Sequence, residues 1–151
     1  MERIRKARRE DISRIAEILI FAKRTAYRPI FQNDPVSFGQ MQVLPLANQY
    51  LSGQLSLDET FVWEEEGVVK GLADAGQGEL RQLYVDPFFQ GQGVGGALLR
   101  FAVEQGARRL WVLEKNQAAV RFYQSHGFAF TGGRRLEEGT PEYVAEMALQ
   151  H

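Results

Sequence analysis

Residues Glu79 to Arg100 read ELRQLYVDPFFQGQGVGGALLR, and the fold turns on how this stretch is read. Glu79 to Val85 is apolar and β-favouring enough to be a strand. Asp86-Pro87 ends it, because proline has no N–H for a ladder and pushes its predecessor out of the helical region. Gln90-Gly91-Gln92-Gly93-Val94-Gly95-Gly96 then opens a run in which Val94, Ala97, Leu98, Phe101 and Ala102 recur at helical spacing. The order is strand, glycine-rich turn, helix. Exposed N–H groups at a helix start, with no side chain to hold a ligand off, form an anion site suited to a pyrophosphate.

Three phosphate-binding patterns compete for this turn. A Walker A loop fails, since no Lys-Ser or Lys-Thr follows the glycines. A dinucleotide fingerprint is matched literally by Gly91, Gly93 and Gly96, with Glu114 at a suitable distance for a ribose contact. Its context is wrong, because Asp86 to Gln90 separate strand from glycines and too little chain follows for two mononucleotide halves. Third, Gln90-x-x-Gly93-x-Gly95 resembles the Q/R-x-x-G-x-G/A pyrophosphate loop of the GNAT acyl-CoA N-acyltransferases. Leu83 to Pro87 is similar to that family's fourth strand and the turn after it. Asn116 to Tyr123, followed by Gly127-Phe128, resembles its N-x-x-A-x-x-F-Y…G-F segment. The resemblance is strong from about Phe61 to Phe130 and looser at both ends.

The resemblance implies a mixed α/β fold. Its central sheet would be mostly antiparallel, with about six or seven strands flanked by helices and a splay between strands four and five. A chain of 151 residues suits one domain spanning 1–151. Hydrophobic and charged contents of 44% and 25% are ordinary globular values. A formal net charge of −1 argues against bulk attraction to nucleic acid or membranes. There is no cysteine, which excludes disulfides and thiol catalysis, and two distant histidines give a metal site little to work with. No stretch reads as a signal peptide or a membrane span, so a cytoplasmic location is expected.

Taken in order, Ile4 to Ala7 reads as a first strand within a basic N-terminus, a solvated strand edge rather than a nucleic-acid patch. Asp11 stands near a helix start, and Ile12, Ile15, Leu19, Ala22 and Ala26 form one apolar stripe, predicting a helix to about Ala26. Tyr27 to Pro35 should break it. A second helix is expected over Val36 to Gln54, kinked or divided at Pro45. Phe61 to Trp63, the turn Glu65-Glu66-Gly67, and Val68 to Ala73 read as a hairpin, and the acid run Glu64 to Glu66 as a solvated turn rather than a draw for a cationic acceptor. Ala75 to Gly78 should turn the chain into the central strand. Arg109 to Leu113 is a further strand, Asn116 an N-cap, Gln117 to Ser125 a helix, and Gly127 its left-handed end. Phe128 to Phe130 and Tyr143 to Leu149 close the sheet around a polar loop, Thr131 to Glu142.

The resemblance also implies chemistry. Acetyl-CoA would be the cosubstrate, with no metal, and a primary amine of a small molecule or peptide the acceptor. Monomer and homodimer both remain open. Gln90, Gly91, Gln92, Gly93, Val94, Gly95 and Gly96 would hold the pyrophosphate, on N–H groups from about Gln92 to Gly96. Leu83 and Val85 would offer backbone contacts to the pantetheine arm, with the Leu83 N–H facing the thioester carbonyl. Asn116 would also contact CoA. Amine attack needs a base, the developing oxyanion a donor, and the departing thiolate a proton. Glu79 matches a general-base glutamate of the family in its spacing before the loop. Burial beside a strand would make it a better proton acceptor, and an ordered water is the alternative. Tyr123 falls on the tyrosine that protonates the thiolate. Tyr27, Phe31 and Phe38 are candidates for the acceptor pocket. His126 reads as a helix C-cap, and Arg100 or Arg121 could replace the charge lost where the family often has arginine at Gln90. An acyl-CoA-binding regulatory module without turnover is the other class this sequence allows.

Overall fold

Glu66-Gly67 and Gln77-Gly78 each place two successive residues at positive φ, 53° and 78° in the first pair and 54° and 81° in the second. This is the two-residue hairpin turn whose twist matches its strands. The turns fold β2 (Thr60–Glu65), β3 (Val68–Gly76) and β4 (Glu79–Val85) into an antiparallel meander. A computed structural model describes residues 3–31, 43–137 and 139–150, with backbone alone for 26–31. Among them, β1 (Ile4–Lys6), β5 (Arg109–Leu113), β6 (Phe128–Leu136) and β7 (Tyr143–Leu149) complete one seven-stranded sheet. Its order is β1-β2-β3-β4-β5-β7-β6, antiparallel throughout except for β4 and β5, which run parallel.

Successive strand residues point to opposite faces, and the core divides accordingly. On β3, Leu72 faces α1 (Ile12–Phe31), whose Ile15, Ile18 and Leu19 are buried with Val62 and Val69. Its neighbour Ala73 faces α3 (Val94–Glu104), where Val94, Leu98, Leu99 and Ala102 pack with Leu80, Leu110 and Met147. α4 (Gln117–Ser125) adds Ala119, Val120 and Phe122 to that second face. α2 (Val43–Leu51) rests on α1 through Ala47, Ile12 and Ala16. The fully buried leucine, isoleucine, valine and methionine side chains contribute about 1.5–3 kcal/mol each.

One irregularity shapes the middle of the sheet. Asp74 stands opposite Gln82 but Ala75 opposite Leu80, so Arg81 is an extra residue bulged out of β4. The bulge reverses the facing, which lets Leu83 and Val85 join Leu80 on the α3 side.

Several expectations need correction. The first helix continues past Ala26 to Phe31, because Pro29 removes only one N–H near the helix end. The second helix is described over Val43–Leu51, and Pro45 falls in its first turn, where an N–H has no partner to lose. Residues 32–42 of the expected span lie outside the described residues. β3 runs on to Gly76, so the turn is Gln77-Gly78 alone. The polar stretch after Phe130 is not all loop. β6 resumes after a bulge between Phe130 and Arg134 and pairs Arg134 to Leu136 with Ala145 to Tyr143. A strand at the sheet edge can be polar.

The basic N-terminus and the acid run of the hairpin neutralise each other. Arg3 lies 2.9 Å from Glu65, and Arg5 donates to Glu64 at 2.7 Å. Arg5 also donates to both Asp11 oxygens, at 2.8 and 2.9 Å, and the Arg8 N–H donates to Asp11 at 2.7 Å. The Arg5 guanidinium, helped by that N–H, holds the buried Asp11 carboxyl below the ordinary value of 3.8. A carboxylate with a lower folded than unfolded pKa adds stability above the unfolded value and gives it up as pH falls through the folded one. Asp11→Asn should therefore lower stability at pH 7 by about 1–3 kcal/mol. Paired melts of the two proteins should converge as pH falls below about 3.8.

Candidate functional site

β4 and β5 pair only at Glu79 with Arg109 and at Leu80 with Leu110. Beyond Arg81 they separate. The Asp86 N–H donates to the Lys70 carbonyl on β3 at 2.9 Å. Backbone groups alternate sides along a strand, so Tyr84 also turns to β3, while Leu83 and Val85 present N–H and C=O to the gap. Among the described residues, β5 offers them no pairing there.

The gap is the floor of a cavity of about 860 Å³, within the range that holds a small ligand. Glu79, Leu83 and Val85 reach it from β4, and Gln90, Gly91 and Gly93 from the turn. Val94, Gly95 and Gly96 line it from the first turn of α3, and Asn116 and Tyr123 from the opposite wall. Of the residues expected at the pyrophosphate loop, only Gln92 is absent from the lining. Tyr27 and Phe31 belong to the last turns of α1, where side chains are not described, and Phe38 lies outside the described residues.

The turn itself is held from two sides. Pro87–Phe89 forms one 3-10 turn, capped by Asp86, whose Oδ1 accepts from the Phe88 N–H at 2.8 Å. Arg14 of α1 donates to Asp86 Oδ2 at 2.7 Å and to the Val69 carbonyl at 2.9 Å. Gly91 and Gly93 follow at φ 81° and 84°, and Gly93 is the N-cap of α3. A Cβ at either would meet open space, yet the backbone conformation disfavours any other residue. Gly95 is different, since its Cβ would lie 3.6 Å from Val85 and from the Phe122 ring. Those are ordinary van der Waals distances, so Gly95 stands within the packing of α3 against β4 and α4.

The opposite wall follows the sequence closely. Asn116 caps α4, its Oδ1 accepting from the Ala119 N–H at 3.2 Å. His126 is the C-cap, with Nδ1 donating to the Phe122 carbonyl at 2.9 Å. Its Nε2 and Arg100 Nη1 converge beside Gly96, each 3.3 Å from where a Cβ would stand. The Tyr123 ring packs edgewise on Phe122 and Phe128, with centroids 5.3 and 6.0 Å away. Glu79 departs from expectation, because its side chain is 30% exposed and 3.9 Å from Arg109 instead of buried. Glu114, the ribose candidate of the dinucleotide pattern, is ion-paired with Arg134 at 2.7 Å. With a 3-10 turn between β4 and the glycines as well, that pattern has no support.

Sequence reasoning missed Lys23, Thr25, Phe89, Trp111, Arg135 and Glu137, all on the cavity wall. Lys23 had left a signal. It stands four residues after Leu19, a charge on the edge of the apolar stripe of α1. Among the described residues no group of three or more His, Asp or Glu could hold a metal ion. No described helix is long and apolar enough to cross a membrane.

A family model described as an acetyltransferase (GNAT) domain matches residues 56–129. Bacillus subtilis YuaI, named an N-acetyltransferase, is 31% identical over 97% of this chain and 83% of its own. Escherichia coli YiaC, a peptidyl-lysine N-acetyltransferase, is 35% identical over 46% of this chain and 49% of its own. The matches span 25% to 49% of the length of the first curated relatives. Salmonella typhimurium YncA, solved with acetyl-CoA as its cofactor, superposes with a TM-score of 0.66 at 27% identity, over 97% of this chain and 92% of that one. With the splayed sheet and the glycine turn, these similarities place the chain in the GNAT acetyltransferase family.

Proposed function

We propose that this chain is a cytoplasmic, acetyl-CoA-dependent N-acetyltransferase, acting on a primary amine of a small molecule or peptide. The observation that carries the reading is continuity: the open β4 edge at Leu83 and Val85 leads directly into the N–H-rich turn before α3. An extended amide-bearing arm fits such an edge as an added strand would, and a pyrophosphate fits the helix start. The acetyl-CoA bound to YncA and the lysine acceptor of YiaC support the same donor and acceptor classes.

In this reading the turn from Gln90 to Gly96 holds the pyrophosphate, Leu83 and Val85 hold the pantetheine arm, and Asn116 lies alongside. No cysteine exists to carry an acyl group, so transfer is direct within a ternary complex. Glu79, or a water it orders, takes a proton from the amine. The amine nitrogen bonds the acetyl carbon as the carbon–sulfur bond breaks, with the Leu83 N–H donating to the carbonyl oxygen. The Tyr123 hydroxyl then gives its proton to the leaving thiolate, a role open to a phenol because its ordinary pKa of about 10 keeps it protonated at neutral pH.

Acetyl-CoA should raise the melting temperature by mass action, while NAD and ATP at equal concentration should not. A shift with NAD and none with acetyl-CoA would sink the proposal. Acetyl-CoA binding without turnover of any amine would favour the regulatory module instead.

Tyr123→Phe keeps the ring and its packing on Phe122 and Phe128, so folding and acetyl-CoA affinity should hold. Turnover should fall by about 10²–10⁴-fold where chemistry limits the rate. An acyl-CoA analogue with a better leaving thiol should recover part of the loss. Equal single-turnover rates for parent and variant would make Tyr123 a core aromatic and nothing more.

A further inference from the structure

Two parts of the cavity wall other than the glycine turn carry opposite charges. Lys23 of α1 and Glu137, which follows β6, both line the cavity. The Lys23 ammonium lies 5.6 Å from the centroid of the Tyr84 ring on β4. Among the described residues, neither Lys23 nor Glu137 has an ion-pair partner within 4.0 Å. Glu137 uses its backbone to hold its own turn, donating N–H to the Glu142 carbonyl at 2.7 Å and accepting from Thr140 Oγ1 at 3.0 Å. That leaves its carboxylate available.

The other charged groups on this cavity are engaged. Glu79 faces Arg109 at 3.9 Å, and Arg81 is held by Glu59 at 2.8 Å and Asp74 at 2.9 Å. The Arg135 guanidinium lies over the Trp111 ring, 4.2 Å from its centroid. Lys23 and Glu137 are therefore the exceptions. Burial pushes the Lys23 pKa below the ordinary lysine value, and the Glu137 charge across the cavity partly offsets this. An ammonium withdrawn from water without a counter-ion is costly, and a ligand carboxylate would relieve it.

We propose that the acceptor is an amine that also carries a carboxylate, an amino acid whose carboxylate pairs with Lys23 and whose ammonium is drawn towards Glu137. This rests on the acetyltransferase reading above and narrows it. An aromatic face at Tyr84 keeps the lysine positioned, and the carboxylate forms charge-assisted hydrogen bonds in a partly buried site. Lys23 is thus a specificity residue, distinct from the groups that handle the proton and the thioester.

The test is steady-state kinetics at saturating acetyl-CoA with the twenty amino acids, each paired with its carboxamide. The parent should prefer the preferred free acid over its amide by about 10- to 100-fold in kcat/KM, mainly through KM. Lys23→Met should erase that preference, lowering kcat/KM for the acid by the same factor while leaving the amide within about threefold. Lys23→Arg should retain part of it, and acetyl-CoA affinity measured by calorimetry should be unchanged in both variants. Equal use of acid and amide by the parent overturns the inference alone, with no variant required. So does an equal loss on both substrates in Lys23→Met, which would make the lysine structural or a proton acceptor. If acetyl-CoA binds but no amino acid is acetylated, the acceptor is of another kind. Failure of acetyl-CoA to bind would instead remove the acetyltransferase reading itself.

Discussion

A strand that gains one residue cannot keep register with both neighbours, and the architecture depends on that mismatch at Arg81. β3 accommodates it, because the Arg81 side chain reaches Asp74 and Glu59 and fastens the bulge to the antiparallel side. β5 does not, and it leaves β4 after Leu80. The sheet stays whole because β7 pairs along the full length of β5, from Arg109 to Leu113. α3 and α4 cover the divide through Leu98, Leu99, Val120 and Phe122, so the strands cannot close again without disturbing that core. Backbone groups facing a gap inside a protein need a partner from water or from a ligand. A groove of this kind is a standing demand for hydrogen bonds.

The second requirement is a rigid turn at the mouth of the groove. Asp86 supplies it by doing two things with one carboxylate, capping the 3-10 turn through Oδ1 and accepting Arg14 through Oδ2. Arg14 sits in the first half of α1, so the helix whose Lys23 and Thr25 line the cavity also braces the glycine turn. The Asp86 side chain is 14% exposed, which places this pair well above an ordinary surface ion pair in consequence. Gly93 then starts α3 from a left-handed backbone that presents its N–H groups outward.

The sequence was most legible where local chemistry decides the outcome. Asp86-Pro87 ending β4, Asn116 capping α4 and the span Gln117–Ser125 are all local matters, and all were read correctly. The splay between β4 and β5 came only from the family resemblance, because its cause is Arg81 answering Asp74 and Glu59 across the sheet. The extension of β6 to Leu136 was hidden for a similar reason: Gly132, Gly133 and two arginines read as loop until pairing with β7 is imposed. Glu79 was expected to be buried, and its neighbour Arg109 on a separate strand keeps it partly in solvent. Lys23 and Glu137 are more than a hundred residues apart, and no local pattern brings them to one cavity.

Amide hydrogen exchange at three adjacent residues tests the central claim most directly, since exchange reports whether a backbone N–H is bonded. In the free protein, Leu83 and Val85 should exchange faster than Tyr84, whose N–H is turned to β3. Saturating acetyl-CoA should slow Leu83 and Val85 and leave Tyr84 nearly unchanged. Equal protection of all three without ligand would mean that β4 and β5 are closed, and unchanged exchange at Leu83 and Val85 in the acetyl-CoA complex would mean that the donor lies elsewhere.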